Sequence, residues 1–124
     1  MNDIRQVGTS KTPTVTATVS PFCLELSGRS IPENSIAFYQ PIKDWLEDVC
    51  AKSTDLLEIN IRLEYFNTSS SKCLMDLLKR VEASPCAARV NWYYEDDDED
   101  MLEAGEDYDA IIDLPFRLIA SAAN

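Results

Sequence analysis

Residues 58–81 read EINIRLEYFNTSSSKCLMDLLKRV, and the change of period inside that stretch decides the class of fold. From Glu58 to Tyr65 the residues alternate, with Ile59, Ile61, Leu63 and Tyr65 on one side and Asn60, Arg62 and Glu64 on the other. A period of two is the mark of a strand with one buried and one wet face. From Leu74 the spacing lengthens: Leu74, Leu77, Leu78 and Val81 form the i, i+3, i+4, i+7 stripe of a helix, and Lys72, Asp76, Lys79 and Arg80 take the wet side. Ser84-Pro85 ends that helix, because the residue before a proline is pushed out of the helical region. Between strand and helix lies a polar hinge, Phe66 to Ser71.

The same alternation and striping extend outward in both directions. Upstream, Ile42, Trp45, Leu46 and Val49 predict an earlier helix, with Pro41 in its first turn and residues 35–40 as a turn or kinked extra turn. Before it, Val15, Ala17 and Val19 and then Phe22, Leu24 and Leu26 alternate with polar residues around Ser20-Pro21, which predicts a hairpin ended by Gly28-Arg29-Ser30. Residues 1–12 are polar and aperiodic and read as a loosely ordered arm, leaving 13–124 as one domain. Downstream, Val90, Trp92 and Tyr94 predict a strand, a helical turn or two falls between Met101 and Ile112, and Phe116–Ala120 reads as a last strand. Strands that are polar on one face are covered on the other face alone. The expectation is therefore an α/β two-layer sandwich: a mixed sheet of four to six strands with two or three helices on one side.

Composition narrows what such a domain can do. The 124 residues carry 22 acids, 11 bases and no histidine, for a net charge of −11. All of the excess sits between Glu95 and Asp113, which hold 11 acids and no base; the rest of the chain balances. Nucleic-acid binding is disfavoured, since phosphate contacts need clustered Lys and Arg. Without histidine there is no Ser-His-Asp triad, Cys-His nucleophile or histidine metal ligand. Cys23, Cys50, Cys73 and Cys86 form no C-x-x-C pair and read as free thiols of a cytoplasmic protein. No run approaches the roughly 18 apolar residues of a membrane span, no secretory leader is evident, and no cofactor is called for.

Two segments could carry function. Thr68, Ser69, Ser70 and Ser71 stand at the start of a helix, where backbone N–H groups are free and the dipole favours negative charge. One reading is capping by Ser69 or Ser70; the other is a phosphoacceptor, which would gain about −1.5 to −2 charges and three strong acceptor oxygens. The second segment is Glu95–Asp100. Asp96, Asp98 and Asp100 match the first three ligand positions of an EF-hand loop, but the turn glycine is Met101 and the closing glutamate is Asp107. A solvated helix start or a docking patch for a basic partner fits that segment better than a divalent-metal site.

Several strings together resemble the SiaC family of bacterial regulatory phosphoproteins. They are Ser30-Ile31-Pro32-Glu33-Asn34, Phe38-Tyr39-Gln40-Pro41, Trp45-Leu46, YFNTSSSK at 65–72, and YYEDDDEDMLEAGEDY at 93–108 with Pro115-Phe116. The match runs from about Thr14 to Phe116. It implies a STAS-like fold, similar to anti-sigma-factor antagonists, although the Asp-Ser-Gly triplet usual in those is missing. It further implies a non-enzymatic partner-switching adaptor. The unphosphorylated form would bind and activate a diguanylate cyclase, raising cyclic di-GMP and favouring biofilm growth. A Ser/Thr kinase of the histidine-kinase-like ATPase type and a PP2C-type phosphatase would control it. The resemblance assigns the phosphate to Thr68, with Ser69 and Ser70 as secondary sites, and partner contacts to Asn67, Ser69, Ser70 and Lys72. Two alternatives are carried beside it: an antagonist that only sequesters an anti-sigma kinase, and an acidic divalent-metal-binding protein.

Overall fold

Strands β1 (Ile4–Gln6), β2 (Thr14–Thr18) and β3 (Cys23–Ser30) come first in the chain. Helix α1 (Ser35–Lys52), β4 (Leu57–Phe66), α2 (Thr68–Ala83), β5 (Ala88–Glu95), α3 (Glu99–Ile111) and β6 (Phe116–Ser121) then alternate. These bounds are those of a computed structural model, which describes residues 3–122. The strands lie in the sheet in chain order, β1-β2-β3-β4-β5-β6. The first three pair antiparallel and the last four parallel, so the sheet is mixed. Each parallel step carries one helix. Crossovers of this kind are right-handed, and a sheet that grows in one direction therefore collects all its helices on one face. The architecture is the expected α/β two-layer sandwich, with six strands and three helices.

The core lies between the layers and uses the stripes read from the sequence. Ile59, Ile61 and Leu63 of β4 meet Leu74, Leu77, Leu78 and Val81 of α2, all at most 3% exposed. Each such side chain contributes about 1.5–3 kcal/mol of burial. Trp45 of α1 and Trp92 of β5 are both fully buried. Gly105 lets α3 lie flush on the sheet: a Cβ there would stand 2.6 Å from both Trp92 Cδ1 and Leu118 Cδ2. Trp92 Nε1 donates across this contact to the carbonyl of Met101, at 3.1 Å.

The uncovered face carries a polar lattice. Glu58 takes Arg89 as an ion pair and accepts from Asn91 Nδ2 at 2.8 Å. The Arg89 guanidinium holds the Glu58 carboxyl below its usual range. Arg117 donates to Asn91 Oδ1 at 3.1 Å, and Arg62 pairs with Glu25 at 2.8 Å while lying 3.6 Å over the ring of Tyr93.

The structure corrects four local expectations. Residues 4–6 of the expected arm form β1, which pairs with β2 from Ile4↔Ala17 to Gln6↔Val15. Three largely exposed residues have no periodicity to read, and partnership alone makes them a strand. Gly28-Arg29-Ser30 does not end β3. Gly28 adopts φ +101°, the register with β4 shifts there, and Ser30 pairs with Phe66. Glycine is the residue that takes such a bend without strain. Residues 35–40 are regular helix, capped by Asn34, whose side chain accepts from Ala37 N at 3.1 Å. Pro41 lies inside α1, on its exposed side, where its missing N–H removes one helical hydrogen bond and buries no orphan. Finally, α3 is a full 13-residue helix despite Gly105.

Candidate functional site

The hinge after β4 is one residue long. Asn67 leaves the strand and caps α2 through Oδ1, which accepts from Ser70 N at 2.9 Å; its own N–H goes to the carbonyl of Ser30 at 3.0 Å. The cap is therefore Asn67 rather than Ser69 or Ser70, and Thr68–Ser71 make up the first turn. Asparagine outcompetes its neighbours because its carbonyl reaches the N3 amide from extended backbone.

The four hydroxyls of this turn have different fates. Ser70 is fully buried and donates to the carbonyl of Ser30 at 3.1 Å. Ser30, equally buried, donates to Ser70 Oγ at 2.9 Å. With both protons spent, Tyr39 must be the donor in its 2.6 Å contact with Ser30 Oγ. Burial pushes the Tyr39 phenol up to about 12, so it keeps the proton that this bond needs. Ser69 donates to Asn67 Oδ1 at 3.2 Å and takes a bond from Ser35 Oγ at 2.7 Å, tying the start of α2 to the start of α1. Tyr108 of α3 donates to the Ser71 carbonyl at 2.6 Å, and Ser71 Oγ returns a bond to it at 3.0 Å. Tyr108 is likewise raised to about 12 by burial.

Thr68 stands apart. It is the first residue of α2, it is exposed, and its hydroxyl has no hydrogen-bond partner among the described residues. Ser70 N and Ser71 N are engaged by Asn67, which leaves the Thr68 and Ser69 N–H groups as the open donors of the helix end. No acidic residue sits in that first turn. Lys72 is exposed, four residues on and so on the same helix face, and has no ion pair among the described residues. A group transferred to Thr68 would meet free N–H donors, a helix dipole and one ammonium.

The residues singled out in the sequence thus fall into three environments. Thr68 and Lys72 face solvent; Asn67 and Ser69 are structural at one end and reachable at the other; Ser70 is sealed. Neither a phosphate nor a partner can reach Ser70 without opening the junction of β3, α1 and α2. Sequence periodicity did not reveal Ser30, Ser35, Tyr39 and Tyr108 as the groups that occupy the other hydroxyls. Ser30, Tyr39 and Tyr108 do lie in the strings that carry the family resemblance, and these strings converge here.

The acidic segment is built differently. Asp98 caps α3 by accepting from Met101 N at 3.0 Å, and Glu99 and Asp100 occupy the first helical turn. Asp96, Asp98 and Asp100 are therefore not spaced along a calcium loop. Among the described residues no three Asp, Glu or Cys side chains gather as metal ligands. All four cysteines are free thiols, with Cys50 raised to about 12 by burial and the neighbouring Cys86. A hollow of about 200 Å3 between the carboxyl-terminal halves of α1 and α2 lies at the far end of α2 from Thr68.

Comparison with known proteins gives a consistent result. The family model described as SiaC family regulatory phosphoprotein matches residues 7–121, reaching past Thr14 and Phe116 on both sides. An uncharacterized protein of Pseudomonas aeruginosa is 32% identical over 123 residues, covering 97% of this chain and 98% of its own. Among solved structures, SiaC of Pseudomonas aeruginosa superposes with a TM-score of 0.90 at 31% identity, over 98% of this chain and 100% of that one. The structure of the diguanylate cyclase SiaD in complex with its activator SiaC, from the same organism, matches with a TM-score of 0.89 at 31% identity, over 98% and 100% of the two chains.

Proposed function

The chain belongs to the SiaC family of regulatory phosphoproteins, and from that premise we propose that it is a partner-switching adaptor with no catalysis of its own. Unphosphorylated, it binds a diguanylate cyclase and activates it, as the related SiaC does for SiaD, raising cyclic di-GMP and favouring biofilm growth. A Ser/Thr kinase of the histidine-kinase-like ATPase type transfers a phosphate to Thr68, and a PP2C-type phosphatase removes it. The setting is the cytoplasm; among the described residues no helix is long and apolar enough to cross a membrane.

One observation carries the reading: of four adjacent hydroxyls, Thr68 alone is both exposed and unengaged. A kinase needs a hydroxyl it can reach and deprotonate without dismantling a hydrogen-bond network. The phosphate would bring about −1.5 to −2 charges to the amino end of α2, where the dipole and Lys72 favour it. A partner surface fitted to a neutral threonine would then face a desolvated dianion.

Three proteins test this: wild type, Thr68→Ala and Thr68→Glu, each titrated onto a diguanylate cyclase while cyclic di-GMP is measured. Thr68→Ala is expected to activate within about twofold of wild type. Thr68→Glu is expected to lose tenfold or more in apparent affinity, about 1.4 kcal/mol. Equal activation by both would move the switch away from Thr68. Capture of the kinase without any cyclase would favour the antagonist reading instead.

A further inference from the structure

The β4–β5 ladder stops early. It pairs Leu57↔Ala88 through Ile61↔Trp92 and ends there, although β4 continues to Phe66 and β5 to Glu95. Above that point each strand stays with its outer neighbour: Leu63, Tyr65 and Phe66 remain paired with β3, the register passing over Glu64, and Tyr93 through Glu95 with β6. The sheet divides into two arms at its carboxyl edge, each presenting a strand edge to the other. Between them lies a cleft of about 440 Å3.

The lining of the cleft is graded. Leu63 and Met101, 3% and 7% exposed, lie deep in it, and the tyrosines Tyr93 and Tyr94 also line it. Glu64, Glu95 and Asp98 supply its charge, and Arg62 is the one cation among the lining residues. Arg62 is already paired with Glu25 and stacked over Tyr93. Glu64 and Glu95 are exposed, and their carboxylates have neither a cation nor a hydrogen-bond partner among the described residues.

We propose that this cleft docks an extended segment of a partner protein through one arginine side chain. Apolar lining accepts the methylene stem, tyrosine faces stack with a planar guanidinium, and unpaired carboxylates take its fork of donors. The stacking of Arg62 on Tyr93 shows that these surfaces accept a guanidinium. Two strand edges facing an open gap supply main-chain donors and acceptors for the backbone on either side, which is recognition by strand addition. Charge complementarity selects a basic segment over an acidic one, since the lining holds three acids against one neutralised base. This site is separate from Thr68, and it does not depend on the switch proposed there.

The probe is a fluorescent, capped eight-residue peptide alternating valine and threonine around one central arginine, titrated onto the full chain by anisotropy. Two controls replace the arginine by citrulline, which keeps the shape without the charge, or by glutamate. On the protein side, Glu64→Lys and Glu95→Lys are combined; both positions are exposed, and an unchanged melting temperature checks the fold. The arginine peptide is expected to bind at least fivefold more tightly than either control, with the same minimum loss on the double variant. Thr68→Glu is expected to bind it within threefold of wild type. Smaller discrimination between peptides, binding that survives charge reversal, or loss of peptide binding in Thr68→Glu would each overturn the proposal. The cyclase titration reads out the Thr68 switch separately, so the two can fail independently.

Discussion

Helices α2 and α3 start at the same edge of the sheet, each after a parallel strand, and their amino ends are finished in opposite ways. The α3 end is capped by Asp98 and followed by Glu99 and Asp100, so three fixed carboxylates oppose its dipole. The α2 end is capped by neutral Asn67, followed by four hydroxyls, with no acid in the first turn. Anions at such ends stabilise by about 0.3–1 kcal/mol. One end has that stabilisation permanently; the other has a place for it and a hydroxyl through which a charge can be added and removed. The hydroxyls next to Thr68 are tied down by Ser35, Ser30, Tyr39 and Tyr108, so the turn is rigid and only one of its groups is available.

The largest expected effect comes from placing one substitution at two neighbouring positions. Ser70→Glu would bury a carboxylate with no cation near it, and chemical denaturation should show a loss of about 3–5 kcal/mol. Thr68→Glu, two residues earlier, should instead raise stability by about 0.3–1 kcal/mol. Similar losses at both positions would mean that the first turn of α2 is uniformly buried, and the contrast drawn above would fail.

A middling effect is expected from the bridge between the two regions, Tyr108. Its phenol titrates at about 10 in an unfolded chain and is raised to about 12 here. The unfolded chain therefore releases its proton first. The stabilisation is whole below about pH 10 and is lost as pH climbs towards 12, by about 2–3 kcal/mol from this residue. Tyr108→Phe should cost about 1–2 kcal/mol at neutral pH by freeing Ser71, and should flatten part of that alkaline decline. Tyr39 is raised to the same level, so the variant should retain the remaining slope.

The smallest effect would sharpen the comparison most. Asn67→Asp adds a charge where none exists and should stabilise α2 by about 0.3–1 kcal/mol, more at low salt. Asp98→Asn keeps the cap and leaves Glu99 and Asp100 in place, so it should change stability by no more than a few tenths of a kcal/mol. Matched thermal melts at two ionic strengths would show whether the two ends respond differently.

Periodicity made the two layers legible, because the stripe of α2 and the alternation of β4 are local patterns that burial rewards directly. It missed β1 and the last residues of β3, which exist through pairing with a distant partner and a glycine bend. The site divided along the same line. The turn Asn67–Ser71 could be found at the junction of two periods, but which hydroxyl stays free is decided by contacts 34 to 40 residues away in sequence. The cap is Asn67 because asparagine is among the strongest caps, while the hydroxyls beside it, which suit the same role by type, already lie inside the first helical turn. The EF-hand likeness failed for a complementary reason: acids at alternate positions also suit the start of a helix.

The agreement between strand order and chain order bears on how the molecule comes to be assembled. Each new strand docks beside the one made just before it, so the sheet can grow outward from the hairpin without leaving a gap to be filled later. The parallel steps join residues as far apart as Cys23 and Glu58, so each closes slowly, but one unit can be completed after another during synthesis. Ser30, Tyr39 and Ser70 are in place once α2 has been laid down, but the clamp on Ser71 is carried by α3 and arrives near the end. A growing chain therefore builds the pedestal under Thr68 first, and locks it only when almost the whole domain has emerged.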